Sequence, residues 1–340
     1  MTTFPGVIDA HAHFLPTSAR EAARTSSTWF GAEFRLGADG TPAFTENGRS
    51  LAFKGPRHMD DAAHRGDEVA ALGIDVQVLS LVPPLFRPHL EGEVAAGMHR
   101  AANDDLAAFV SDGRGRFLAM ASVPVGDPRA AVAELTRIAA TPGFVGVQLG
   151  TNVSGRDWSD PLLFPILEAA AELRLLVTFH PDAVRAAAFL PDYYLSNVIG
   201  NPLESTIAAA NLIFSGVLDR LPDLRVLLCH GGGYLGTAAG RMDHGRTVRP
   251  ENADTTQRLP SEYLSRFLVD SITHDPHLLP VLLRSFGAAN VVLGTDFPAD
   301  MGPVDPVGEL RSNDALTPEE QEAILGGNVR GVLSELGRMP

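Results

Sequence analysis

Val7-Ile8-Asp9-Ala10-His11-Ala12-His13-Phe14 reads as a strand that delivers two histidines to one face. Side chains at i and i+2 of a strand share a face, so His11 and His13 project together while Ile8, Ala10 and Ala12 turn the other way. Asp9 has the histidines' parity one step deeper, where it serves either as a partner for a histidine or as a plain core polar group. The same design, an apolar run ending in a titratable group, recurs downstream. Residues 175–180 end in His180 before Pro181, with Thr178 on the face of His180 and Val177 and Phe179 opposite. Residues 225–230 end in His230 before Gly231-Gly232-Gly233, glycines that either admit a substrate closely or shape a tight turn. By alternation Cys229 belongs to the outer side as a small core filler. Residues 290–296 end in Asp296.

Working outward, four further apolar, β-branched runs at 75–81, 116–123, 144–149 and 267–271 bring the strands to eight. Stretches of helical periodicity alternate with them at 60–72, 93–111, 128–140, 161–173, 202–219, 234–243 and 276–286. Eight strands each followed by a helix predict an α/β fold, the closed parallel (β/α)8 TIM barrel, ahead of a doubly wound open sheet. A length of 340 residues suggests two domains at roughly 150 residues each, but the repeating pattern overrules it in favour of one barrel domain over 1–340. Residues 17–58 form a disproportionate connection after the first strand, with Asp39-Gly40 and Asn47-Gly48 pairs that predict a small hairpin or two. As an insertion over the barrel mouth it acts either as a lid or as a packing embellishment. Residues 301–317 read as a loop before a last helix at 318–336.

The chain is 45% apolar with 41 acidic and 27 basic groups, a formal charge of −14. That balance speaks against nucleic acid and anionic membrane as partners. Cys229 is the single cysteine, so neither an intrachain disulfide nor a cysteine-based zinc site exists. The segment 1–5 has no basic start or long apolar run, and no apolar stretch reaches the length of a membrane span; the expectation is a soluble cytoplasmic protein. All basic residues except Lys54 are arginines.

His11, His13, His180, His230 and Asp296 thus lie at the C-terminal ends of strands one, five, six and eight, the face where barrel enzymes keep their active sites. Three histidines and a carboxylate suit a divalent ion, zinc first and manganese as the alternative, with room for a water that the ion acidifies. We assign His11, His13, His180 and Asp296 to the metal, and His230, with Asp296 beside it, to catalysis as the general acid and base.

These segments resemble the metal-dependent amidohydrolase superfamily, in particular its branch around 2-amino-3-carboxymuconate-6-semialdehyde decarboxylase. The resemblance runs over nearly the whole chain: Ile8 to Phe14 with Pro16, Gly73-Ile74-Asp75-Val76-Gln77-Val78, His180-Pro181, His230 to Gly233 with Gly240-Arg241, Pro260-Ser261-Glu262-Tyr263, and Leu293-Gly294-Thr295-Asp296. It implies one zinc ion and a homodimer. Two-metal members carry a carboxylated lysine on the fourth strand; residues 144–149 contain none, and Lys54 falls in the insertion. Two substrate-binding arginines are also implied. Arg241 matches the one lent to the partner's site, and Arg49, with Arg57 and Arg65 as neighbours, the one from the insertion. Guanidinium forks suit an anionic substrate. Asn197 stands where the branch has a tryptophan near the metal, which points to a related carboxylated ring or muconate-like acid. The expected activity is a metal-dependent non-oxidative decarboxylase working through a metal-bound water. Its rivals are a hydrolase of an amide, lactone or ester, a hydratase of an unsaturated dicarboxylate, and a barrel whose zinc is structural.

Overall fold

The computed structural model describes residues 6–53, 55–252 and 256–339, so Lys54 and the segment 1–5 lie outside the described residues. Eight parallel strands stand in one sheet in the order β1 (Ile8–Phe14), β6 (Val76–Leu81), β7 (Phe117–Ala121), β8 (Phe144–Gly150), β9 (Leu176–His180), β10 (Arg225–Leu228), β11 (Phe267–Asp270) and β12 (Val291–Val292). The last strand is shorter than its apolar run, because beyond Val292 the chain leaves the ladder and closes onto β1 through single bonds. Ala10 N donates to Leu293 O at 2.8 Å, Asp296 N to His11 O at 2.9 Å and His13 N to Phe297 O at 2.7 Å. Those bonds complete the TIM barrel.

Helices α1 (Thr17–Thr25), α2 (Ala62–Ala71), α3 (Gly92–Asp112), α4 (Pro128–Ala139), α5 (Phe164–Glu172), α6 (Asn201–Phe214), α7 (Val217–Arg220), α8 (Leu235–Val248) and α9 (Leu279–Phe286) alternate with the strands. Three more follow: α10 (Pro306–Arg311), α11 (Pro318–Glu322) and α12 (Asn328–Glu335). The span 301–317 is therefore not all loop: Asp305 caps α10 by accepting from Gly308 N at 2.9 Å. The last helix is interrupted by a π turn at Ala323–Gly327. Packed in its place, Gly326 lies where a Cβ would meet Gly6 O at 2.5 Å.

Two apolar layers sandwich the strands. Ile8, Val76, Leu118, Val145, Leu176, Leu227, Leu268 and Val292, one from each strand, fill the barrel with Val329, Leu333 and Leu336 of the C-terminal segment. Alternate residues such as Ala12, Leu79, Val177 and Phe179 pack against the helices. This corrects two parity readings. A bulge between Asp9 and Ala12 places one extra residue on β1 opposite β6. Ile8 and Ala10 consequently face inward, below the bulge, while His11 and His13 face inward above it. Asp9 then takes the outer side, in register with Gln77, and binds Gln77 Nε2 at 2.7 Å and Thr295 Oγ1 at 2.5 Å. Cys229 follows the inward parity of Leu227 and clusters with His11 and Asp270, not with the helices.

The insertion is a four-stranded antiparallel sheet in the order β2 (Thr28–Trp29), β3 (Ala32–Leu36), β4 (Pro42–Glu46) and β5 (Arg49–Ala52), larger than the hairpin or two its turns predict. Trp29, Phe34, Phe44 and Phe53 bury one face against α1, α3 and the Leu81–Phe86 segment. A short turn, Pro56–Met59, then leads into α2.

Candidate metal centre

The structure brings the five predicted strand-end residues together at the C-terminal mouth. His11, His13, His180 and Asp296 are buried, and His230 is partly exposed. The Nε2 atoms of His13, His11 and His180 lie 2.8, 3.4 and 3.9 Å from Oδ1 of Asp296, while His230 Nε2 lies 3.8 Å from Oδ2. Asp296 and His230 both reach these positions through left-handed backbone, φ +56° and +59°.

Each of the three imidazoles around Oδ1 is fixed through its other nitrogen. His11 Nδ1 donates to Asp270 Oδ2 at 2.7 Å, His180 Nδ1 to Pro181 O at 2.8 Å, and His13 Nδ1 to Ser80 Oγ at 3.3 Å. Ser80 is free to accept because its own proton goes to Ala12 O. With Nδ1 protonated, each Nε2 presents a lone pair, and all three are buried with no hydrogen-bond partner. Burial pushes the imidazoles of His13 and His180 below their ordinary pKa, which keeps those lone pairs available. Burial would push the Asp296 carboxyl up, but the imidazoles of His13, His180 and His230 facing it outweigh that and hold it well below the usual carboxylate range. Three lone pairs aimed at a carboxylate repel one another unless a cation sits among them, so these residues fit a divalent ion. One donor atom from each of His11, His180, His230 and Asp296 also falls within 4.8 Å of the others. His13, nearer to Asp296 and deeper than His230, is the better third imidazole.

Asp270, at the end of β11, escaped the sequence reading. Besides His11, its Oδ2 accepts from His230 N at 2.9 Å, and its Oδ1 accepts from Gly231 N at 2.8 Å and Ile272 N at 3.1 Å. Burial would raise its pKa; the His11 hydrogen bond and the backbone N–H of Gly231 reverse the sign and leave it lowered. Gly294 makes room for this contact, since a Cβ there would sit 2.8 Å from Asp270 Cβ and 3.2 Å from His11 Cβ. His58 was likewise missed as part of the site, and Arg65, named only as a neighbour of Arg49, has a role that the sequence did not suggest. Arg65 is buried on α2 and donates to His13 O at 2.6 Å and Gln77 Oε1 at 3.0 Å, so it steadies a histidine. Arg57 is drawn to Glu68 at 3.3 Å. His58, buried against Phe53, is kept neutral by burial and lies within electrostatic reach of His13, Arg65 and Asp296.

A cavity of about 360 Å³ opens beside the cluster, with Asn197, His230 and Asp296 in its wall and Ile272, Leu282 and Met301 as apolar surface. Asn197 is thus where the sequence placed it. Arg49 is exposed at the start of β5 and Arg241 is exposed on α8; neither lines the cavity of its own chain, which for Arg241 accords with a place in the partner's site. The glycines after His230 answer mainly to packing, because a Cβ on Gly233 would meet Pro202 O at 2.0 Å and one on Gly232 would meet Val269 Cγ1 at 2.7 Å.

Residues 8–333 match the amidohydrolase family profile. The chain belongs to the amidohydrolase family. This amidohydrolase is 36% identical over 256 residues to the 2-amino-3-carboxymuconate-6-semialdehyde decarboxylase of Dictyostelium discoideum, covering 75% of the chain and 71% of that protein. Its fold is shared with the apo IDCase of Metarhizium anisopliae (TM-score 0.82, 22% identity, 99% and 98% of the two chains). It is shared too with a dihydroxybenzoic acid decarboxylase from Polaromonas solved with manganese and 2-nitroresorcinol (TM-score 0.77, 20% identity, 99% and 98%). No helix among the described residues is long and apolar enough to cross a membrane.

Proposed function

We propose that this amidohydrolase is a metal-dependent, non-oxidative carboxy-lyase acting on a small carboxylated aromatic or muconate-like acid. The observation that carries this reading is the convergence of three Nδ1-anchored imidazoles on one oxygen of Asp296, with His230 on the other, in the wall of a cavity with room for a six-membered ring. His11, His13, His180 and Asp296 hold the ion. Three imidazoles and a carboxylate favour zinc, and manganese, as in the Polaromonas enzyme, is the alternative. When bound, the ion supplies Lewis acidity that polarises a substrate oxygen and stabilises developing negative charge.

His230 carries the proton. Its Nε2 lies 3.8 Å from the Asp296 carboxylate and delivers a proton to the unsaturated carbon that bears the substrate's carboxylate. A C–H bond forms, the C–C bond to the carboxylate breaks with its electron pair left on the ring, CO₂ departs, and solvent restores the proton on His230. Asn197 orients the substrate, and the apolar wall at Ile272, Leu282 and Met301 excludes water from its ring. Residues 17–58 are an insertion on a single barrel domain, and its closing turn carries His58 toward the centre. The protein works as a cytoplasmic homodimer, in keeping with its one buried thiol, and Arg241 reaches the partner's site to hold the substrate's anion.

Incubating metal-loaded protein with hydroxybenzoates, carboxyvanillates and muconate semialdehydes and measuring CO₂ tests the reading. Turnover of a lactone or amide with no CO₂ from any acid would replace it by a hydrolase. For the shared site, Arg241→Ala should lower kcat/KM by about 10- to 100-fold, the worth of one charged hydrogen-bonding group, with the sedimentation of a dimer unchanged. Full activity in that variant removes the arginine from the site.

A further inference from the structure

Beside the C-terminal ends of β8 and β9 lies a small recess of about 20 Å³, room for one body the size of a water molecule, with Phe86, Gln148, Gly150, Asn152 and Asp182 among its walls. It is separate from the cavity at His230 and Asp296, with which it shares no wall residue. Its lining is rich in oxygens that nothing engages. Gln148 is 2% exposed, yet neither its Oε1 nor its Nε2 has a hydrogen-bond partner, and Thr178 Oγ1, across the ladder from it, and Asp182 Oδ1 are buried and unpartnered as well. Gln148 and Gly150 share a strand face, and a Cβ on Gly150 would lie 2.8 Å from Asp182 Oδ1 and 3.1 Å from Asn152 O. The missing side chain thus leaves a cradle on which a carboxylate oxygen and a backbone oxygen converge. Neighbouring nitrogens are committed elsewhere: His99 Nδ1 to Ser122 Oγ at 2.9 Å, and Asn152 Nδ2 to Ala183 O at 2.8 Å.

Charge decides what fits this cradle. Asp182 makes no ion pair among the described residues, and Glu204 lies near enough to repel it. Arg185, in the same loop, is taken by Glu204 at 2.9 Å and Asp157 at 2.6 Å. A water would satisfy hydrogen bonds but leave a buried negative charge uncancelled, which is the costlier defect. Magnesium would keep several waters, for which there is no room, and calcium takes about six to eight oxygens, more than converge here. One dehydrated monovalent ion matches one carboxylate and neutral oxygens. We propose that Gln148 Oε1, Asn152 O and Asp182 Oδ1 bind an alkali cation, sodium or potassium, that ties together the ends of β8 and β9 and the loops that follow them. With Oε1 on the ion, Gln148 Nε2 is left to donate to Thr178 Oγ1. Gly150 pairs with His180 in the ladder, so the ion braces the strand end that carries this histidine. The site is structural and stands whatever the reaction at the barrel mouth.

Melting temperatures of the metal-loaded protein in sodium, potassium and tetramethylammonium chloride test the site, at equal ionic strength so that screening is constant. The better alkali ion should raise the melting temperature by about 2 °C or more over tetramethylammonium, the effect of roughly a tenfold excess of ion over its dissociation constant on a chain of this length. In Asp182→Asn the difference between salts should vanish. In tetramethylammonium chloride that variant should melt no lower than the native protein, because the uncompensated carboxylate is gone, an outcome that loss of an ordinary packing residue would not give. Gln148→Met removes one oxygen and keeps the carboxylate; it should at least halve the difference, and it decides the matter if the asparagine variant folds poorly. Equal melting of the native protein in all three salts, or a difference that Asp182→Asn or Gln148→Met retains in full, overturns the site and leaves a water in the recess.

Discussion

His230→Asn should retain its metal and its melting temperature while turnover falls by about 10²- to 10⁴-fold, the usual contribution of a positioned proton carrier. Asparagine is the informative substitute because position 230 has φ +59°, a left-handed conformation that asparagine tolerates and alanine does not. The backbone N–H that binds Asp270 is kept, so the ligand network is not disturbed. The imidazole makes no hydrogen bond among the described residues, and its Nδ1 is buried without a partner there. Little folding energy is therefore at stake, and the loss should appear in kcat. Two results would sink the assignment. Metal content that falls with activity would make His230 a ligand in place of His13, and turnover within about threefold of the native enzyme would leave the proton to another group.

The candidate metal centre was legible in the sequence because its residues obey local rules. His-x-His on a strand, and histidines stopped by Pro181 and by Gly231, advertise both an inward face and a strand end. What failed was alternation across irregularities. The bulge at Asp9–Ala12 inserts a residue that no local pattern marks, and it moves Asp9 outward and Ile8 inward without altering the histidines above it. Cys229 was misplaced for a related reason, since the strand reading ran on to His230 whereas the ladder stops at Leu228 and the chain turns left-handed at His230. Asp270 was invisible, and the place of Arg65 unread, for another. Each looks like an ordinary strand-end acid or helix-surface cation, and its meaning lies in a partner far along the chain: His11 is 259 residues from Asp270, and His13 is 52 residues from Arg65. Arg49, matched by position in the resemblance, lies on an exposed strand.

Asp270→Asn should weaken metal binding by about 10- to 100-fold, the range found when a partner of a ligating histidine is removed. The carboxylate accepts from four donors, His11 Nδ1 and the backbone N–H groups of His230, Gly231 and Ile272. Asparagine offers one acceptor oxygen and a primary amide. If the oxygen stays with Gly231 and Ile272, the amide N–H groups face two further donors in a dry site. Either His11 flips its tautomer, which protonates Nε2 and removes its lone pair from the metal, or the ring moves away. Loss of this buried acceptor should also cost about 3–5 kcal/mol of folding stability, measured by denaturant unfolding of the metal-free protein. The two variants are separated by adding metal. Excess ion should restore much of the turnover of Asp270→Asn, because its proton carrier is intact, and none of the turnover of His230→Asn. Native metal affinity in Asp270→Asn would show that His11 is held by its strand and by Gly294 alone, and that the carboxylate serves only the backbone of the loop after β10.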